Sequence, residues 1–321
     1  MSDDEQRAHY GEWDANNLFG NIDWDTMTPA WISFNASATY QINERRDKRD
    51  FLCLLTGAQK PIADMLETLV LPVEWAVGYE GIATPFRVFE SYAWMHHVYG
   101  LAGIKDGLSF DAVIPNFFDP ADFPHVRAGR GGDYLLFMGR LVQRKGLTVA
   151  SLIAERVGMP LYVVGPGATE GRDGYVSAPE VTIEGEHIRY IGPVGREQRA
   201  ELLAGAAVTL VPTQYIEPFG GVAVEAMMSG CPVVTTDWGA FTETVQEGVS
   251  GYRFRTLGEA ARAVELSIDL DSEVVRQYAL DRYSLDAVFP RFDAHFQRLS
   301  SLWTTWDGEL EGAARVDGWY A

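Results

Sequence analysis

Short apolar, β-branched runs alternating with helix-length segments predict an α/β chain of two domains, each built on a parallel sheet. Strands separated by single helices pair in parallel through right-handed crossovers. A polar, glycine-rich stretch at 125–133 (HVRAGRGGD) divides the runs into two series. At 321 residues the chain is long enough to bury a core in each. The passage 208–235 shows the architecture in miniature. A buried-strand run (VTLVP) leads to Gly220 and Gly221, then a helix that Gly230 stops, then strand 232–235.

In the first series, residues 1–30 mix acids, amides and aromatics without periodicity and read as an irregular arm. Residues 31–36 (WISFNA) read as a strand, and 43–50 (NERRDKRD) as a solvated turn or helix end. Strand 51–56 (FLCLLT) follows, then a helix through Leu69 with Pro61 in its first turn. Strand 73–79, a helix across 86–99 (FRVFESYAWMHHVY) and strand 111–115 complete the series, with 116–122 a turn-rich exit.

The second series places strands at 134–138, 160–164, 188–191, 208–211, 232–235 and 251–254. Helices fall at 147–157, 196–204, 221–229, 257–269 and 272–281, with a short one near 240–247. Residues 169–187 form a polar insertion. The tail from 284 to 303 is an amphipathic helix interrupted by Pro290, with Trp303 and Trp306 as possible anchors.

Composition excludes several function classes. Hydrophobic residues make up 47% and charged residues 22%, a globular balance. The formal net charge of −19 repels polyphosphates, so nucleic acid and anionic membranes are disfavoured partners. No apolar run is long enough for a transmembrane segment, and the polar start does not read as a signal peptide. Cys53 and Cys231, each beside an apolar run, read as buried reduced thiols, which suits a cytoplasmic location. No Cys/His spacing suits a metal.

The chemistry concentrates in two segments. Glu217 and Glu225 lie eight residues apart, with Phe219, Gly220, Gly221 and Val222 at the helix entrance between them. The start of a helix favours an anionic group, and two glycines let a ligand approach the backbone. Glu225 is one turn inside the helix, on the same face as Gly221. In the other segment, strand 134–137 leads to Gly139, Arg140 and Lys145. Gly139 permits a tight exit, and two cations stand at the C-terminal edge of the sheet, where α/β proteins bind ligands. Arginine holds a diphosphate bidentately and lysine adds a point charge.

Glu217-Pro218-Phe219-Gly220 followed by Glu225-Ala226 resembles the E-P-F-G-x4-E-A signature of retaining GT-B glycosyltransferases of the family-4 type. Gly139-Arg140-Leu141 with Lys145-Gly146 is similar to that family's G-R-L-x3-K-G segment, and Val113-Ile114-Pro115-Asn116 to the passage closing its first domain, with Phe117 in place of the usual glycine. The resemblance is strong over 113–290 and weak over 1–110, where the first domain is short for the family. It implies two Rossmann-like parallel-sheet domains facing a cleft: 1–125 on the acceptor side, 126–283 for the nucleotide sugar, and 284–321 crossing back to the first.

The activity it implies is transfer of a hexose-type sugar from a nucleotide-diphosphate sugar to a hydroxyl acceptor, whether glycan, protein or small molecule. Neither metal nor cofactor is called for. Glu225 would take the ribose hydroxyls and Glu217 would orient the transferred sugar. Arg140 and Lys145 would stabilise the leaving diphosphate, with backbone N–H groups from Phe219 to Val222 beside it and Gly165 near the base. His96 and His97 are candidates for assisting the acceptor hydroxyl, since a histidine near its natural pKa can take a proton. The more common role for either residue is that of a partly buried structural histidine. Two alternatives stay open: a non-catalytic nucleotide-sugar or glycan-binding module, and a phosphorylase or sugar-phosphate synthase of the same fold.

Overall fold

A computed structural model describes residues 25–304, apart from 48 and 68. Its α/β elements fall into two compact units, 25–115 with 290–304 and 116–289. Expectations for residues 1–24 and for Trp306 lie outside the described residues, and so does the side chain of Trp303.

The first unit carries a four-stranded parallel sheet in the order β1 (Phe51–Leu54), β2 (Leu71–Val77), β3 (Phe86–Phe89), β4 (Ala112–Val113). Helices α1 (Pro29–Arg45), α2 (Lys60–Leu66) and α3 (Tyr92–Ala102) belong to it. Three expectations are corrected here. The run 31–36 is not a strand but part of α1, because Pro29 opens a helical turn and buried Asn35 donates to the Ala58 carbonyl at 3.0 Å. The helix expected across 86–99 begins only at Tyr92. Phe86–Phe89 pairs with β2, and Ser91 caps the helix by accepting from the Trp94 N–H at 3.1 Å. Cys53 is exposed, whereas Cys231 is buried.

The helix α10 (Leu285–Thr304) continues past Pro290 rather than ending there. The lost backbone donor is offset by burial of Val288, Phe292 and Leu299 along one face. Phe292 stacks on Trp75 of β2 at 4.0 Å, and Phe296 meets Phe51 of β1 edge-on at 5.0 Å.

The second unit holds a six-stranded parallel sheet in the order β10-β6-β5-β11-β12-β13. These are β5 (Leu135–Met138), β6 (Leu161–Val164), β10 (Ile188–Gly192), β11 (Val208–Val211), β12 (Val233–Thr236) and β13 (Gly251–Phe254). The insertion at 169–187 folds as an antiparallel sheet of β7 (Glu170–Arg172), β8 (Tyr175–Ala178) and β9 (Val181–Glu184).

Alternate residues of the central strands serve opposite faces, as strand geometry requires. Leu135 and Phe137 pack with α4 (Leu147–Val157) and α8 (Leu257–Ile268), while Leu136 packs with α5 (Arg196–Gly205), α6 (Gly221–Met228) and α9 (Ser272–Tyr283). Helices on both faces of a parallel sheet make this unit doubly wound. The short α7 (Phe241–Thr244) completes it. Within the 125–133 stretch Arg127 is buried, and its guanidinium donates to the Ile268 and Leu270 carbonyls and the Ser272 hydroxyl.

Candidate functional site

In an open parallel sheet the strand ends, not the strand bodies, present groups to a ligand. At the C-terminal end of β5 the chain turns through Gly139, whose N–H donates to the Val164 carbonyl of β6 at 2.9 Å. Gly165 lies against it with φ +137°, and a Cβ there would sit 2.0 Å from the Gly139 carbonyl oxygen. Only glycine fits that approach. Arg140 follows on the exposed side of the turn.

Lys145 closes the next turn, 143–145, just before α4, and its ammonium meets the loop that leaves β11. Its Nζ donates to both carboxylate oxygens of Glu217, at 2.9 and 3.1 Å, and to the Tyr215 hydroxyl at 2.8 Å. The Tyr215 hydroxyl in turn donates to Glu217 Oε1 at 2.9 Å. Cation, phenol and carboxylate thus form a closed triangle, with Glu217 only 7% exposed. The Arg144 guanidinium stacks 4.9 Å from the centre of the Tyr215 ring. Burial, then the Glu217 charge, hold the Tyr215 hydroxyl well above its ordinary pKa, and the Arg144 and Arg140 charges act in the opposite sense.

The loop backbone is fixed from below. Trp238 Nε1 donates to the Tyr215 carbonyl at 3.1 Å, and the Ala240 N–H to the Glu217 carbonyl at 3.0 Å. Two residues past Glu217 the Phe219 side chain turns inward to pack on Phe118 and Tyr283, so this residue offers a ligand only its backbone. Gly220 starts α6 with φ +81°, and a Cβ there would meet the Phe241 ring at 2.4 Å. The first turn of α6, including Gly221 and Val222, directs its amides out of the helix end.

Glu225 lies one turn further along α6. Arg199 of α5 pairs with its Oε1, while its Oε2 is buried and has no hydrogen-bond partner. An unpartnered buried carboxylate oxygen forfeits about 1–3 kcal/mol. A hydroxyl donor on a ligand would remove that cost. Arg199 is itself desolvated, which together with the Arg196 charge lowers its pKa.

The second unit therefore brings Gly139, Arg140, Lys145, Gly165, Glu217 and the α6 entrance to neighbouring strand and helix ends, with Glu225 on α6. His96 and His97 belong to the first unit. Adjacent helical positions point about 100° apart. His97 accordingly lies 3.7 Å from Glu80, while His96 lines a different cavity of that unit. Tyr215, Arg144 and Arg199 were not singled out in the sequence. Tyr215 stands two residues before Glu217, but a lone tyrosine in a loop carries no signal of its partners.

Residues 132–268 match the family model described as Glycosyl transferases group 1. Over 274 residues the chain is 30% identical to a phosphatidyl-myo-inositol mannosyltransferase of Mycobacterium tuberculosis, covering 77% of this chain and 68% of that protein. The chain belongs to the group 1 glycosyl transferases. A phosphatidyl-myo-inositol mannosyltransferase of Propionibacterium freudenreichii is 34% identical over 47% of this family member, which spans only 39% of that relative. Among solved structures, a glycosyltransferase involved in avilamycin A biosynthesis aligns with TM-score 0.63 at 24% identity, covering 83% of this chain and 79% of that one. The Anabaena HepE protein in complex with UDP-glucose aligns with TM-score 0.62 at 16% identity, covering 88% and 84%. The fold of this group 1 chain is GT-B, with two Rossmann-like parallel-sheet domains. No helix of the described residues is long and apolar enough to cross a membrane.

Proposed function

We propose that this chain is a retaining glycosyltransferase of the family-4 type, moving a hexose-type sugar from a nucleotide-diphosphate sugar to a hydroxyl acceptor without a metal. The observation that carries the reading is the Lys145–Tyr215–Glu217 triangle beside a helix entrance whose next acid, Glu225, keeps one buried oxygen unpartnered.

Each part has a task in this reading. Glu225 Oε2 accepts a ribose hydroxyl, which gives the orphaned oxygen its partner. Arg140 and Lys145 hold the diphosphate, whose negative charge grows as the sugar–phosphate bond breaks, and the amides entering α6 stabilise the same charge. Lys145 turns from Glu217 toward the phosphate when the donor binds, freeing the Glu217 carboxylate to orient the sugar hydroxyls. The leaving phosphate takes the acceptor proton on the face it departs from, so configuration is retained. UDP-glucose bound to the HepE neighbour is compatible with a uridine donor. The acceptor is a glycan, a protein or a small molecule, met by the first unit, with His96 or His97 as a proton relay. The two free thiols suit a reducing cytoplasmic setting.

A second reading, a nucleotide-sugar-binding module without transfer, is favoured by the four-stranded first sheet of the described residues. Both are tested by incubating the purified chain with uridine, guanosine and adenosine diphosphate sugars and an acceptor panel. Transfer or slow donor hydrolysis that disappears in Lys145→Ala and Glu225→Ala supports the enzyme. Donor binding without any turnover supports the module. Product formed from a sugar 1-phosphate alone would point instead to a phosphorylase or sugar-phosphate synthase.

A further inference from the structure

The first unit holds a cavity of about 610 Å³, lined entirely by its own residues and not used by the donor reading. It follows β4, the last strand of the four-stranded sheet, and α3, the loop after it and α10 supply the walls. Among its polar walls is His295, 3% exposed, with neither ring nitrogen hydrogen-bonded. Buried imidazole nitrogens left unpaired are costly, because each has lost its water partner without gaining another. The histidine has not escaped that cost through a neighbouring side chain, a carbonyl or an ion pair.

The charge on these walls also departs from that of the chain. Formal net charge is −19, yet Lys105, Arg291 and Arg298 all line this cavity. Arg291 donates to the Val113 carbonyl at 2.8 Å and so closes part of the open strand edge. Lys105 and Arg298 form no ion pair among the described residues. Of the two acids on the walls, Asp111 is committed to Arg87 at 2.9 Å and Tyr99 at 2.6 Å, which leaves Asp106 opposing three cations.

Burial, then the Arg298 charge, push the His295 pKa down to about 4, so at neutral pH the ring is uncharged. A neutral imidazole offers one N–H donor and one acceptor nitrogen. It can donate to an anionic oxygen and accept from a hydroxyl at once. Two unpaired cations favour the anion, and Met95, Leu108 and Ile114 give an apolar floor for a compact ring. A volume of this size accommodates a small organic molecule.

We propose that this cavity binds a small hydroxylated phosphate ester, such as a sugar phosphate, held by Lys105 and Arg298 and hydrogen-bonded by His295. The site is independent of the donor reading in the residues that would hold the ligand, Lys105, Arg298 and His295, and in its readout; His96 alone lines this cavity and is also named for the acceptor.

The test is titration of the full chain with glucose 6-phosphate, inorganic phosphate and glucose, followed through the His295 ring resonances by NMR, assigned with His295→Gln. Glucose 6-phosphate should shift those resonances saturably, and inorganic phosphate or glucose should bind about tenfold more weakly or worse. Arg298→Gln and Lys105→Gln, both at exposed positions, should each weaken the response about tenfold and leave folding intact. No shift at about 20 mM, an equal response to inorganic phosphate, or a response indifferent to both substitutions would each overturn the proposal.

Discussion

Each unit buries a glutamate, Glu74 in the first and Glu217 in the second, and the two differ in what holds their carboxylates. Glu74 in the first unit is 0% exposed, and three donors reach its carboxylate. Tyr79 donates to its Oε1 at 2.8 Å, and the N–H groups of Ala83 and Thr84 donate to its Oε2 at 2.8 and 2.9 Å. These bonds bind the turn after β2 to the strand, beside a β-bulge between Glu74 and Val77. Nothing remains for a ligand to satisfy. In the second unit Glu217 is balanced by a movable ammonium and a phenol, and Glu225 keeps one oxygen unpartnered. A saturated carboxylate is structural, while one held by a long cation or left half-satisfied can exchange its partners.

The sharpest way to break this contrast is Lys145→Ala. It leaves Glu217 buried with only the Tyr215 hydroxyl, so the fold should lose about 3 kcal/mol in urea titration. If Lys145 holds the leaving diphosphate as proposed, donor turnover should fall at least about a hundredfold. Retained turnover with a weakened fold would make Lys145 a strut and nothing more.

Next in size is a paired comparison of Glu74→Gln and Glu225→Gln. Glu74→Gln sets an amide NH2 against backbone donors, so stability should drop by about 2 kcal/mol or more while donor binding is unchanged. Glu225→Gln should do the reverse, with stability within about 1 kcal/mol of the parent and donor affinity reduced about tenfold. Thermal melts and calorimetric titration of both variants decide it. Equal effects from the two would erase the distinction between the units' acids.

How much of this was legible follows from the same physics. The second unit's strands are buried on both faces, so β-branched runs stand out between helices. Its site residues occur mainly in two compact strings around Gly139 and Gly220; a Cβ has no room at Gly165, against the Gly139 backbone, or at Gly220, against the Phe241 ring. The first unit hides more. Helix α1 buries only Ala30 and Asn35 among its described side chains and so has little amphipathic pattern to read. The boundary between β3 and α3 rests on one serine hydroxyl, Ser91, inside a run rich in aromatic and apolar residues. Pairings such as Arg199 with Glu225 and the Arg87–Asp111–Tyr99 cluster join residues many positions apart, which spacing alone does not encode.

A smaller effect concerns pH. The His295 pKa falls from 6.5 to about 4 on folding, so the unfolded chain binds the extra proton across that interval. Its contribution to stability is complete above about pH 6.5 and is lost as pH falls toward 4. Lining the same cavity are Arg291 and Arg298 on its own helix, His96, Tyr92 and Tyr99 on α3, and Lys105, Asp106 and Asp111. Denaturation midpoints measured across this range should decline less steeply in His295→Phe than in the parent. The smallest effect is Tyr215→Phe, which should cost about 1 kcal/mol and slow turnover modestly, because Lys145 still holds Glu217 directly.

The central claim is that the second unit's sheet edge and the entrance of α6 hold a nucleoside diphosphate. Calorimetric titration of uridine, guanosine and adenosine diphosphates into the full chain, Lys145→Ala and Glu225→Gln tests it most directly. At least one nucleotide should bind the parent chain and bind each variant about tenfold more weakly or worse. Binding of none, or equal binding by all three proteins, would contradict it.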